Sequence, residues 1–126
     1  MKLKFLTLIL LGFFSLISST NAKSYYKTDV PPNSTEIHLE GNLDYGASPN
    51  SVEAYYNSNM VVVCFHQNFG YVNILLVGET NNIVYNQTVN TALLHNVYIP
   101  IAVEPDGYYT LILTSVTGNA EGGFDK

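Results

Sequence analysis

The sequence predicts an all-β fold, an antiparallel β-sandwich of about seven to eight strands. Past residue 34, apolar runs recur about every ten residues, separated by turn-forming residues. Within most runs apolar and polar residues alternate with period two, and no stretch holds a helical period over a dozen residues. The chain has 126 residues, room for one sandwich domain of about 100 residues and a leader, with none left for a second domain.

The leader comes first. Lys2 and Lys4 open a segment that is apolar from Phe5 to Ile17 apart from Thr7, Gly12 and Ser15. Thr20-Asn21-Ala22 then places small residues where a signal peptidase reads them, so residues 1–22 are expected to be a cleaved signal peptide. The apolar run is too short for a membrane span, which needs about 20 residues. A lipid anchor is not expected either, since the sole cysteine is Cys64. Residues 23–34 read as a polar leader ending near Pro31-Pro32, and residues 35–126 as the single sandwich domain. The expected address is therefore the periplasm or the extracellular space, with no membrane span after cleavage.

The first strand is expected over Thr35–Leu39, with Ile37 and Leu39 on one face. The second, Ser51–Tyr56, alternates Val52, Ala54 and Tyr56 against Glu53 and Tyr55. The third, Met60–His66, is apolar on both faces and so belongs in the middle of a sheet. The fourth, Tyr71–Val77, turns Val72, Ile74 and Leu76 inward, and a turn over Gly78–Asn82 leads to a fifth, Ile83–Val89, pairing back on it. The sixth is expected to run Asn96–Val103 with Val97, Ile99, Ile101 and Val103 on one face. Pro100 lacks an amide donor and assigns it to an edge or a bulge. Pro105-Asp106-Gly107 is a turn. The seventh strand, Tyr108–Val116, sends Tyr109, Leu111 and Leu113 inward, and Gly118-Asn119 turns the chain into a short last segment. The edge carrying Pro100 is protected against strand addition, while the edge made by the first strand is not.

Charge and chemistry exclude more than they identify. Without Lys2 and Lys4 the mature chain sets three lysines against ten acidic residues, a formal charge of −7, and it has no arginine. That balance gives no electrostatic footprint for nucleic acid or an anionic membrane surface. One cysteine makes no internal disulfide, and Cys64, inside Val61-Val62-Val63-Cys64-Phe65, reads as a small buried hydrophobe. His38, His66 and His95 have no second ligand at metal-site spacing, so no metal and no cofactor are expected. The carboxylates are scattered singly, without the fixed pair that glycoside hydrolysis needs. There is no calcium loop, no phosphate cradle and no Gly-x-Ser-x-Gly elbow. No catalytic residue is assigned, and the chain is not expected to be an enzyme. Asn33-Ser34-Thr35 and Asn86-Gln87-Thr88 match the glycosylation triplet, which matters only in a host that uses it.

Tyrosine is the one compositional excess, 10 residues against no tryptophan. Tyr55, Tyr71, Tyr98 and Tyr108 fall on faces expected to point outward, where aromatics stack on sugar rings or anchor a protein partner. Tyrosine also simply suits a half-buried pleated surface. The expected function is a non-catalytic interaction module binding another extracellular protein. The alternative is a glycan-binding module using the outward tyrosines.

The order of motifs carries a resemblance. It runs through Ser51-Val52-Glu53-Ala54-Tyr55, the apolar third strand, Val72-Asn73-Ile74, Ile83-Val84-Tyr85, Gly107-Tyr108-Tyr109-Thr110-Leu111, Gly118 and Gly123-Phe124. This resembles a family of small exported domain-of-unknown-function proteins of Gram-negative gut anaerobes, over about Glu36 to Phe124. The resemblance implies an immunoglobulin-like β-sandwich and an extracytoplasmic address, and it implies no activity or site residues. From Val72 onward the chain is also similar to the C-terminal sorting domain of type IX secretion cargo, although no cargo domain precedes it.

Overall fold

The computed structural model describes residues 30–48 and 50–126. The expected signal peptide and most of the polar leader lie outside the described residues. Nine strands and no helix are found among those described: β1 (Thr35–Ile37), β2 (Glu40–Asn42), β3 (Val52–Tyr56), β4 (Met60–Phe65), β5 (Tyr71–Gly78), β6 (Ile83–Asn90), β7 (Asn96–Pro100), β8 (Tyr108–Thr114) and β9 (Asn119–Asp125). They form two antiparallel sheets, in the orders β1-β3-β4-β7 and β2-β9-β8-β5-β6.

Alternation dictates how these sheets close on each other. In β5 every second residue, Val72, Ile74 and Leu76, is fully buried, and in β8 Leu111 and Leu113 are fully buried and Tyr109 nearly so. They meet Ile37, Ala54, Val61, Val63, Phe65, Val97 and Ile99 from the other sheet in one core. β4 is central, flanked by β3 and β7, which accounts for its apolar run. Tyr56 and Tyr109 both stack on Phe124, with ring centroids 4.5 and 5.6 Å apart, and close the core at one end.

Four local expectations are corrected. The first strand ends at Ile37, because the chain then crosses between sheets and pairs again as β2. That crossing is tight: a Cβ at Gly122 would sit 2.2 Å from the His38 carbonyl oxygen, so the close approach requires glycine there. The sixth strand stops at Pro100, where the chain turns so that Glu104 N donates to Ile101 O at 3.0 Å; Ile101 stays buried but Val103 is 94% exposed. The seventh ends at Thr114, leaving Val116 in the following turn, 91% exposed. The last segment is a full strand, β9, paired along the whole of β8. Pro100 does lie on an edge strand, opposite Met60.

Candidate functional site

The antiparallel order gathers the connections into two sets. Those after β2, β4, β6 and β8 lie at one end of the sandwich. Those after β3, β5 and β7, with Val30 and Lys126, lie at the other.

The second end is acidic. Glu79, Glu104, Asp106 and Asp125 sit there. Lys126, the sole Lys or Arg among the described residues, is drawn in: its side chain is 8% exposed, and its Nζ donates to the Glu104 carbonyl and lies 4.0 Å from Asp106 Oδ1. An open cleft of about 670 Å³ lies against Pro32, Tyr56, Met60, Asp106, Asp125 and Lys126. The Tyr109 hydroxyl donates to the Pro105 carbonyl. Burial first, then Glu104, Asp106 and Glu79, raises this phenol above its ordinary value. Glu79 Oε1 accepts from Tyr108 N at 3.3 Å and ties the β5–β6 turn to the start of β8.

The first end exposes large apolar side chains among polar loop residues. Tyr45 is 100% exposed, Leu93 81%, Leu94 44% and Val116 91%. Asp44 is the one carboxylate among the described residues of these connections. The loops are tied beneath their tips. Thr117 Oγ1 donates to Leu43 O at 2.9 Å and to Asp44 Oδ1 at 3.2 Å, and Ser115 Oγ donates to the same Leu43 carbonyl. Buried Thr91 accepts from Phe69 N and donates to Gly70 O, both at 2.7 Å, joining the β4–β5 and β6–β7 connections. Sequence reasoning missed these tips. The available signal was an apolar residue inside a segment of turn formers, as in Asp44-Tyr45-Gly46 or Ser115-Val116-Thr117-Gly118.

The four predicted tyrosines form no single patch. Tyr55 and Tyr98 lie in one row on the outer face of the four-stranded sheet, on either side of Val62 and so about 10 Å apart across the strands. Val62 and Cys64 are buried on this face, outside the central core. The Tyr55 hydroxyl donates to Glu53 Oε2 at 2.5 Å, and this bond, ahead of burial and the charges of Glu53 and Glu36, pushes its phenol well above the ordinary range. His66 Nε2 lies 3.7 Å from Glu53 Oε1. Tyr71 and Tyr108 belong to the other sheet, at opposite ends of antiparallel neighbours β5 and β8. Tyr108 lies across Gly123, where a Cβ would collide with its hydroxyl. Tyr71 borders a polar row on the outer face, Asn42–Asn119–Thr114–Asn73–Thr88, in which Asn73 Nδ2 donates to Thr88 Oγ1 at 3.1 Å.

Among the described residues no three His, Cys, Asp or Glu side chains converge as a metal set. No helix among them is long and apolar enough to cross a membrane.

Comparison with known proteins places this architecture. A family model described as a domain of unknown function, DUF3244, matches residues 32–126. Among solved structures the chain is similar to a DUF3244 family protein from Bacteroides vulgatus, described as having an immunoglobulin-like β-sandwich fold. The TM-score is 0.64 at 18% identity, over 74% of this chain and 98% of that one, a likeness of fold. No curated protein matches. The bond from Tyr109 back to Pro105 is the tyrosine corner found in immunoglobulin-type sandwiches, where a tyrosine at the start of a strand bonds backbone a few residues upstream. The resemblance read from the sequence, to a domain-of-unknown-function family of gut anaerobes with this sandwich, is thereby borne out. All nine strands fall within the matched residues, and the chain belongs to the DUF3244 family.

Proposed function

We propose that this protein is an exported, non-catalytic module that binds another protein outside the cytoplasm. The observation that carries the reading is a surface that displays large apolar side chains, Tyr45, Leu93 and Val116, on loops that also carry Ser, Gly, Asn and Thr. Such loops on a rigid sandwich are the composition of protein-binding paratopes, which combine rigid anchors with adaptable polar contacts. The export half of the reading is supported by the sequence of residues 1–22. Its check is N-terminal sequencing of protein recovered from the cell envelope. A start at Lys23 is expected, and an intact Met1 in the cytoplasm overturns it.

For binding, tagged full-length protein is crosslinked in the cells that make it, and the attached species are identified by mass spectrometry. One specific protein at near-stoichiometric yield is expected. Recovery of the chain alone overturns the reading. So does reproducible turnover on a hydrolase panel that is lost on changing one carboxylate or histidine.

A glycan-binding reading has one observation in its favour. Asparagine is a poor strand former, yet Asn42, Asn73 and Asn119 occupy one row of a sheet face beside exposed Tyr71. It predicts that Tyr71→Ala abolishes retardation of the folded domain in a polysaccharide gel. Equal migration of variant and wild type on every polysaccharide ends that reading.

A further inference from the structure

We propose that this protein pairs with a second copy of itself along β6, edge to edge, so that two five-stranded sheets run on as one. The proposal is independent of the protein-binding reading above, which a monomer would serve as well.

The two sheets leave four edges among the described residues, β1, β7, β2 and β6. Three of them carry features that discourage strand addition. β1, the edge that the sequence leaves open, is cut to three residues and bears Glu36. β2 is as short, bears Glu40, and bends at Gly41, whose φ is 106°. β7 ends in Pro100, which has no amide to offer. β6 has none of these. It runs eight residues, Ile83–Asn90, about 27 Å of strand, without a charge or a proline.

Charge points to a second copy as the occupant. Of the ten acidic residues only Asp29 lies outside the described ones, and Lys126 is the sole Lys or Arg among them. Two copies therefore repel over most of their surfaces. No carboxylate lies on β5, β6 or β7, so this flank is where two acidic copies can meet. Antiparallel pairing also sets the acidic end of one copy away from that of the other.

The backbone fixes the register. Thr91 N donates to Gly70 O at 2.9 Å, one step beyond the Tyr71–Asn90 pair of β5 and β6. Hydrogen-bonded pairs alternate along an antiparallel ladder. Gln87 and Val89 therefore turn their backbone groups to β5, while Asn86, Thr88 and Asn90 turn theirs outward. Asn90 O is already taken by the Leu93 and Leu94 amides, at 3.1 and 2.9 Å, and a bulge at Val84 interrupts the other side. Asn86 and Thr88 remain. Pairing Asn86 of each copy with Thr88 of the other satisfies all of their outward N–H and C=O groups. The two-fold axis then passes between the two copies of Gln87.

The side chains agree with this register. Asn86, Gln87 and Thr88 are three exposed residues in a row at the middle of β6. Asn86 Oδ1 accepts from Asn73 Nδ2 at 3.0 Å, which leaves its own Nδ2 to donate to Thr88 of the second copy. On the inner face Tyr85 falls opposite Val89 of the second copy. Both are only partly buried at the margin of a single core, and an aromatic facing a β-branched residue is a stabilising cross-strand pair.

Sedimentation equilibrium of the full-length protein, as recovered from its cells, should show a monomer–dimer equilibrium below about 1 mM, the weak range for a small interface. Gln87→Cys brings two thiols together at a pair whose Cα atoms lie about 4.5 Å apart, within reach of a disulfide. Mild oxidation should link that variant about tenfold or more faster than Ile83→Cys, whose site is exposed on the same strand but far from its own copy. Thr88→Pro removes an outward donor and spares the β5 ladder, so association should vanish at an unchanged melting temperature. Gln87→Glu alters no backbone group, sets two carboxylates face to face, and should weaken association about fivefold at neutral pH. A monomer at the highest concentration overturns the proposal. So does equal linkage through Ile83→Cys, or a dimer that neither Thr88→Pro nor Gln87→Glu weakens.

Discussion

The two ends of the sandwich use the same kinds of side chain in opposite ways. At the acidic end, Tyr56, Phe124 and Tyr109 stack inside as the plug of the core, while carboxylates face the water. At the opposite end, the hydroxyls of Thr91, Ser115 and Thr117 are turned in to fasten loops, while Tyr45, Leu93 and Val116 face the water. Residue type alone does not assign a role. A tyrosine is a core plug at position 109 and a displayed tip at position 45.

That contrast can be broken at its strongest point first. Phe124→Ala removes the middle ring of the stack and leaves a cavity, so denaturant unfolding should show a loss of about 3–5 kcal/mol. A loss of only a few tenths would mean that the stack does not hold the acidic end. Thr91→Val keeps the side chain's shape but strands the Phe69 amide, and should cost about 1–3 kcal/mol. Amide exchange should then quicken at Phe69 and Leu94 before it does in β5; uniform protection would show that the hydroxyl ties are dispensable.

Alkaline titration sharpens the comparison from the acidic side. Folding raises the Tyr109 phenol, and also that of Tyr55, so the folded state holds protons that the unfolded state releases near pH 10. Stability from this source is complete below about pH 10 and is lost as pH rises beyond it. Tyr109→Phe should flatten the alkaline decline measured by thermal melts, and an unchanged slope would count against the assignment. The smallest effect belongs to the displayed tips. Leu93→Ser and Val116→Ser should leave stability within about 0.5 kcal/mol of wild type. A larger loss would show that these side chains serve the fold after all.

How much of this was legible in the sequence depends on whether a strand's neighbours write themselves into its residues. In β5 and β8 they do: one face meets the core, and the period-two alternation of Val72, Ile74 and Leu76 records it. Glu40-Gly41-Asn42 records nothing, because β2 is a strand only through its pairing with β9. β9 itself was obscured by Gly122 and Gly123, which weaken a strand pattern. Both are explained by what lies over them, the His38 carbonyl and the Tyr108 ring. The outward direction of Tyr71, Tyr98 and Tyr108 followed from alternation. Their division between two sheets did not, since periodicity assigns a face and not a sheet. The loop tips were least legible, because exposure in a turn is decided by the path of the backbone and not by spacing.

The pairing of β2 with β9 also sets an order in time. Glu40 finds its partner, Glu121, far along the chain, and among the described residues the register offers β2 no other strand. A ribosome delivers the residues of β2 well before those of β9, so one edge of the five-stranded sheet waits until β3 to β8 have been made. Contacts so distant along the chain slow folding and lengthen the interval before closure. Under the export proposed above, such a delay keeps the polypeptide in a state that can still be threaded through a membrane.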